Sequence, residues 1–180
     1  MLGCTPAALP APSQTSATAT RGLAPLTDGQ VGEIVDVIDT QQMRAARLAM
    51  EHAVDPQVRA FAENLLRDQE SASAALLARL AKESASLQPS LLVQLFEARS
   101  RDARAWLSNE SGTTFDHDFL GYEVKEQAMQ LDWLDHVLIP AAGDAAFRTS
   151  LKQRSASATA RLRDAELLAR RLPEPGPSSL

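Results

Sequence analysis

The chain has little with which to staple itself. Cys4 is the one cysteine among 180 residues, which excludes an internal disulfide and a multi-cysteine metal site. Aromatic residues make up only 4% of it. Ala and Leu dominate the apolar set instead, which favours helix over sheet. No block of like charge is longer than two, and the net charge is −5. A basic groove is therefore not built, and nucleic acid is not an expected partner. No stretch approaches the ~20 apolar residues of a membrane-spanning helix. Gly-rich phosphate loops, GxSxG and HExxH are all missing. So is Glu-x-x-His, the pair a di-iron carboxylate bundle places on one helical face. The residues three before His52, His117 and His136 are Ala49, Thr114 and Trp133. Cys4 sits in a tail with no base to activate it, so it is no nucleophile. The expectation is a protein that is not an enzyme and carries no cofactor.

What is present is helical. A chain of this size can bury roughly 70% of its unfolded surface and needs no staple to fold. Residues 1–25 are rich in Pro, Ala, Ser and Thr and read as a disordered tether, as they cannot offset their ordering entropy. Residues 173–180, PEPGPSSL, read as a tail for the same reason. Between them, 26–172 reads as one domain. Met1-Leu2-Gly3-Cys4 resembles the end of a bacterial lipoprotein signal, without the charged and apolar regions that precede it. A trimmed start and a chance match both stay open. A lipid on Cys4 is the one membrane link the sequence offers, and a protein partner is left open.

Thr27 with Gln30 is a capping box, opening a helix over about 28–53 with the seam Val31, Val35, Ile38, Gln42, Ala45, Ala49. Asp55-Pro56 is an N-cap followed by proline at the first helical position. The second helix follows to about Ser84, with Val58, Ala62, Leu65, Gln69, Ala72, Leu76 and Leu80 inward. The tight junction makes these an antiparallel pair. A third segment covers 90–107 and a loop 109–114. Thr113 with Asp116 reads as a second capping box. The fourth helix runs to Ile139 before Pro140, with the seam Leu120, Val124, Gln127, Leu131, Leu134, Leu138. Asp144 caps the last helix, about 145–172. Its seam is either Phe147, Leu151, Arg154, Ala158, Arg161, Ala165, Leu168, or a register through Ser155, Ala158, Leu162, Ala165. No internal repeat is visible.

Four seams thus carry a polar residue near their middle: Gln42, Gln69, Gln127 and Arg161. Gln42 to Ala49, then Asp55-Pro56-Gln57-Val58-Arg59-Ala60-Phe61-Ala62, resembles the paired-helix motif of the bacterial family named domain of unknown function 4142. Phe115-Asp116 to Leu120 and Leu134 to Ala142 resemble its second half. The resemblance implies an all-α, ferritin-like antiparallel four-helix bundle with an additional connecting helix, in periplasmic or outer-membrane proteins. It also implies an inward glutamate and histidines. Those positions read Gln42, Asp68-Gln69, Gln127 and Arg161 here. Amides and a guanidinium are poor metal ligands, so the resemblance carries the fold without the metal.

The three glutamines read as a hydrogen-bonded layer that fixes helix register; a polar ligand pocket is the other reading. Arg161, if inward, needs a carboxylate, with Asp68 as its candidate; a surface Arg161 is the alternative. Asp116-His117-Asp118 reads as a helix start, and Asp132 with His136 as a surface pair. Trp106, Trp133, Phe61 and Phe96 read as core or helix contacts. The expected function is a non-enzymatic cell-envelope scaffold or binding module. Two rivals stand beside it. One is a metal-binding or redox protein using other ligands, such as Asp36, Asp39, Asp68 and Glu126. The other is a partner-binding subunit with Leu91, Leu92, Leu95 and Phe96 as an exposed face.

Overall fold

A computed structural model describes residues 26–82, 86–89 and 91–173. The predicted tether over 1–25, with Cys4, and nearly all of the predicted tail lie outside the described residues. Among the described residues there are five long helices: α1 (Asp28–His52), α2 (Pro56–Lys82), α3 (Leu91–Leu107), α4 (Gly112–Trp133) and α5 (Ala145–Ala169). Helices α1 and α2 form one hairpin, and α4 and α5 the other. Their contacts close an antiparallel four-helix bundle, and α3 lies over α1 and α4 as the connection between hairpins. Among the described residues there is no strand, and no helix is long and apolar enough to cross a membrane.

The predicted caps form where the chemistry is local. Thr27 and Gln30 exchange side-chain and backbone hydrogen bonds at 3.2 and 3.1 Å. Asp55 Oδ1 accepts from Gln57 N at 2.7 Å, and Asp144 Oδ1 from Phe147 N at 2.6 Å. Gly29 lets the 86–89 segment reach the start of α1: a Cβ there would stand 2.7 Å from the Ser86 carbonyl oxygen.

The second predicted capping box does not form. Helix α4 starts at Gly112, in a left-handed conformation that suits glycine, behind Ser111 with no side-chain cap bond. Asp116 instead reaches the other hairpin. Its two carboxylate oxygens accept from Val54 N and Asp55 N at 3.1 and 2.8 Å.

This contact exposes a repeat that the sequence conceals. Asp28 does the same to the α4–α5 turn, accepting from Gly143 N and Asp144 N at 2.7 and 3.1 Å. The turns themselves match: Ala53-Val54-Asp55 to Val58-Arg59, and Ala142-Gly143-Asp144 to Phe147-Arg148. In each, the arginine donates back to the alanine carbonyl at 2.5 Å. Seven residues with four partly shared positions fall below what reading a sequence can separate from chance.

Helix α4 also passes the predicted stop at Ile139. It continues through a π-helical turn, Leu134–Leu138, into Ile139–Ala141. Proline has no N–H and crowds the carbonyl four residues back. The wider turn, closed by Ile139 N on Leu134 O, absorbs that conflict just before Pro140.

Two apolar cores result. Val31, Ile34, Ile38, Leu134, Leu138 and Phe147 fill one end. Ala45, Ala49, Leu65, Phe115 and Phe119 fill the other. Each large side chain so buried contributes roughly 1.5–3 kcal/mol. Phe96 belongs to the first core and meets Trp133 edge-on at 5.0 Å, while Leu92 is half-buried. These two do not form an exposed face; the side chains of Leu91 and Leu95 lie outside the described residues. Trp106 is not a core residue: it is 47% exposed. In α5 the register through Arg154 is the inward one, as Leu151, Arg154, Ala158 and Ala165 are buried while Ser155 and Leu162 are only half so.

Candidate functional site

Between the two apolar cores lies a polar belt. Helix α1 supplies Asp39, Gln41 and Gln42, α2 supplies Gln69, and α4 supplies Glu123, Glu126, Gln127 and Gln130, all buried. Helix α5 brings Arg154, buried, and Arg161, half-buried.

Two separate hydrogen-bond chains run through the belt. In the first, Gln69 Nε2 donates to Gln42 Oε1, and Gln42 Nε2 donates to Gln130 Oε1 at 2.9 Å. In the second, Arg161 Nε donates to Gln127 Oε1 at 3.2 Å, and Gln127 Nε2 donates to Glu123 Oε2 at 3.1 Å. Gln42 and Gln69 therefore meet as neighbours, whereas Gln127 turns to Arg161. The other oxygen of Glu123 is buried without a hydrogen bond. Burial lifts the Glu123 carboxyl to about 7, with the neighbouring Glu126 adding to the effect.

A buried ion pair closes the belt toward α5. Arg154 Nη1 donates to both carboxylate oxygens of Asp39, at 2.8 and 2.6 Å, and its Nη2 donates to the Ala72 carbonyl at 2.6 Å. Burial raises the Asp39 carboxyl to about 6 against the pull of Arg154. On the α3 side, Arg99 pairs with Glu126 at 3.0 Å and Arg104 donates to Gln41.

Two expectations fail here. Asp68 is exposed and does not belong to the buried belt. One residue from Gln69 on a helix is a turn of about 100°, which carries its side chain out to the surface. Nor is it the hydrogen-bonding partner of Arg161, which bonds Gln127. Burial lowers the Arg161 pKa; Glu123, then Asp68, favour its charge from a distance. Gln130 and Glu123 were missed, although Glu123, Glu126, Gln127 and Gln130 fall at i, i+3, i+4 and i+7. The expected seam through Leu120, Val124, Gln127 and Leu131 took in only Gln127 of these four.

A transition-metal centre favours imidazole, carboxylate or thiolate; the belt has no imidazole or thiolate, and of its carboxylates Asp39 is paired with Arg154 and Glu126 with Arg99. Asp36, Asp39, Asp68 and Glu126 do not converge, and no cluster of three such groups exists among the described residues. The histidines lie elsewhere. His52 packs on the Phe115 ring at 5.3 Å, and His117 Nε2 contacts Pro173 O at 2.6 Å. His136 forms the predicted surface pair with Asp132 at 3.1 Å.

Comparison with curated proteins finds no match. Among solved structures, a crystal structure of a DUF305 fragment from Deinococcus radiodurans is similar, with a TM-score of 0.68. It is 17% identical, and the match covers 83% of this chain and 100% of that one. At that identity the likeness is one of fold. The family model for DUF4142, a domain of unknown function, matches residues 11–168. The turn motif, the paired hairpins and this match agree: the chain belongs to the DUF4142 family.

Proposed function

We propose that this chain is a non-enzymatic cell-envelope protein that acts as a scaffold or binding module. The observation that carries the reading is the chain from Gln69 through Gln42 to Gln130. It satisfies amides at the bundle's centre with one another. Such a layer specifies register and helix pairing, because any slip strands buried amides without partners. It supplies no nucleophile, no base–nucleophile pair and no metal-ligand set. The envelope location rests on the lipoprotein-like Met1-Leu2-Gly3-Cys4 and the tether-like composition after it. In this reading Cys4 is the lipid anchor and the bundle is held off the membrane surface by the tether.

Metal content by plasma mass spectrometry tests the reading. The protein is purified without chelator and challenged with iron, zinc, manganese and copper. No stoichiometric metal is expected. One or two ions held tightly per chain would overturn the reading in favour of a metal-binding or redox protein.

A further inference from the structure

The bundle is open between two of its helices at the level of the polar belt. Between α2 and α5 lies a cleft of about 360 Å³. Asp68, Gln69 and Ala72 line it from α2, and Ser150, Ser157 and Arg161 from α5.

Two charges face this cleft without a partner. Arg161 spends its Nε on Gln127, and among the described residues no carboxylate lies within ion-pair distance of its guanidinium. Asp68, on the facing helix, likewise has no cation within that distance. The two are close enough for Asp68 to favour the charge of Arg161, yet too far apart to pair. The third charged group at the cleft, Arg154, is committed to Asp39 and to the Ala72 carbonyl.

That inventory selects a ligand chemistry. A phosphate dianion needs more than one free cation and would meet Asp68 at close range. A metal ion would have a single carboxylate and a guanidinium repelling it. An apolar ligand would strand the serine hydroxyls and the two charges without water. A small zwitterion meets every term. Its carboxylate fits the planar fork of an arginine, its ammonium is drawn to a carboxylate, and serine hydroxyls supply further hydrogen bonds. Ala72 and Ala75 leave room beside them for a short side chain.

We infer that the α2–α5 cleft binds a small free α-amino acid, its carboxylate on Arg161 and its ammonium toward Asp68. The inference rests on the binding-module reading above and names the ligand class for it.

Amide-shift titration of the ¹⁵N-labelled full chain tests it, with L-alanine, acetate, methylammonium and inorganic phosphate as probes. L-Alanine is expected to saturate one site and to shift amides around residues 68–72 and 157–161. Acetate, methylammonium and phosphate should each bind at least tenfold more weakly, since each uses at most one of the two charges. R161Q should weaken L-alanine at least tenfold and R161K less. D68N should erase most of the preference for L-alanine over acetate. A75F fills the cleft from an exposed position without removing a charge, and should block binding at an unchanged melting temperature. Acetate or phosphate matching L-alanine, R161Q or A75F binding like the parent, or no saturation with any probe would each overturn the inference. Metal content measured on the same sample separates the two failures. A metal-free sample that ignores L-alanine sinks only the ligand, and a metal-loaded one sinks the binding-module reading itself.

Discussion

The first hairpin, α1–α2, and the second, α4–α5, share one frame and differ in what they bury. Their turns are tied by corresponding carboxylates, Asp28 and Asp116, each to the other's turn. Gln42 follows Asp28 by 14 residues, as Gln130 follows Asp116, and these two glutamines bond to each other at the centre. Along the same correspondence Asp39 matches Gln127, and both accept from an arginine of α5, Arg154 and Arg161. Where α4 buries Glu123 and Glu126, α1 buries Val35 and Ile38. Where α5 brings Arg154 and Arg161, α2 brings Leu65 and Ala72. The span from the carboxylate to its own turn is one residue longer in α4, and that residue is taken up by the π turn ahead of Pro140. One backbone plan thus supports two distributions of buried charge: Asp39 alone in the first hairpin, and Glu123, Glu126 and Arg154 in the second. The frame is held by turns and caps, so the belt is free to carry most of its charge on the second hairpin, with Asp39 the buried charge of the first.

The correspondence can be broken at matched positions. The largest effect is expected at the arginine acceptors. Asp39→Ala leaves Arg154 buried without a carboxylate and should cost about 3–5 kcal/mol. Gln127→Ala removes a neutral acceptor from a half-buried arginine and should cost only about 1–3 kcal/mol. Urea unfolding of both variants measures the gap; equal losses would mean that the two acceptors are equivalent after all. Phe119→Ala, in the apolar core that Phe119 shares with Ala45, Ala49 and Leu65, should cost about 3–5 kcal/mol by cavity formation. The matched Val31→Ala deletes a much smaller side chain and should cost clearly less. A larger loss at Val31 would contradict the packing described.

Glu123 sharpens the contrast through pH. Its carboxyl titrates near 7 when folded, against an ordinary 4.5. Below 4.5 both states hold the proton and the burial penalty is absent. As pH rises toward 7 the unfolded chain sheds the proton freely and the folded chain does not, so stability falls. The loss across that window approaches ~3 kcal/mol, and Glu123→Gln should abolish that share of it. Thermal melts at pH 5 and pH 8 on both proteins read it directly. A parent chain that melts higher at pH 8 by the same margin as the variant would put Glu123 outside this account.

The smallest effects are expected at the turns. Asp116→Ala removes two backbone hydrogen bonds at a buried site and should cost about 1–3 kcal/mol. Asp28→Ala makes the same deletion where water can replace the carboxylate, and should cost about half as much. Hydrogen exchange at Val54 and Asp55, and at Gly143 and Asp144, locates each loss. If Asp116→Ala left the α1–α2 turn protected, the tie would be incidental.

Much of this plan was legible beforehand. Thr27, Asp55-Pro56 and Asp144 are caps whose partners lie within three residues, and the seams of α1, α2 and α5 follow a 3.6-residue period. Asp116 was misread because its partner is 62 residues away in sequence, beyond the reach of any capping pattern. Trp106 was read as a core or helix contact from its residue type alone, and it is 47% exposed. Asp68 was drawn into the belt by its neighbour Gln69 and by family resemblance, neither of which sets the direction of a side chain.

By itself the sequence determined the helices, their order, the two hairpins and the polar residue at the middle of each seam. These follow from periodicity, capping and short turns, all of them local. Only the tertiary structure decided that Gln42 meets Gln130 and Gln69 while Gln127 meets Arg161. It also decided that Asp39 neutralises Arg154, and that Arg161 and Asp68 face one cleft unpaired. Those outcomes depend on which side chains arrive at the same height on different helices. That height is set by the turns and by a single π-turn residue, and no local pattern encodes it.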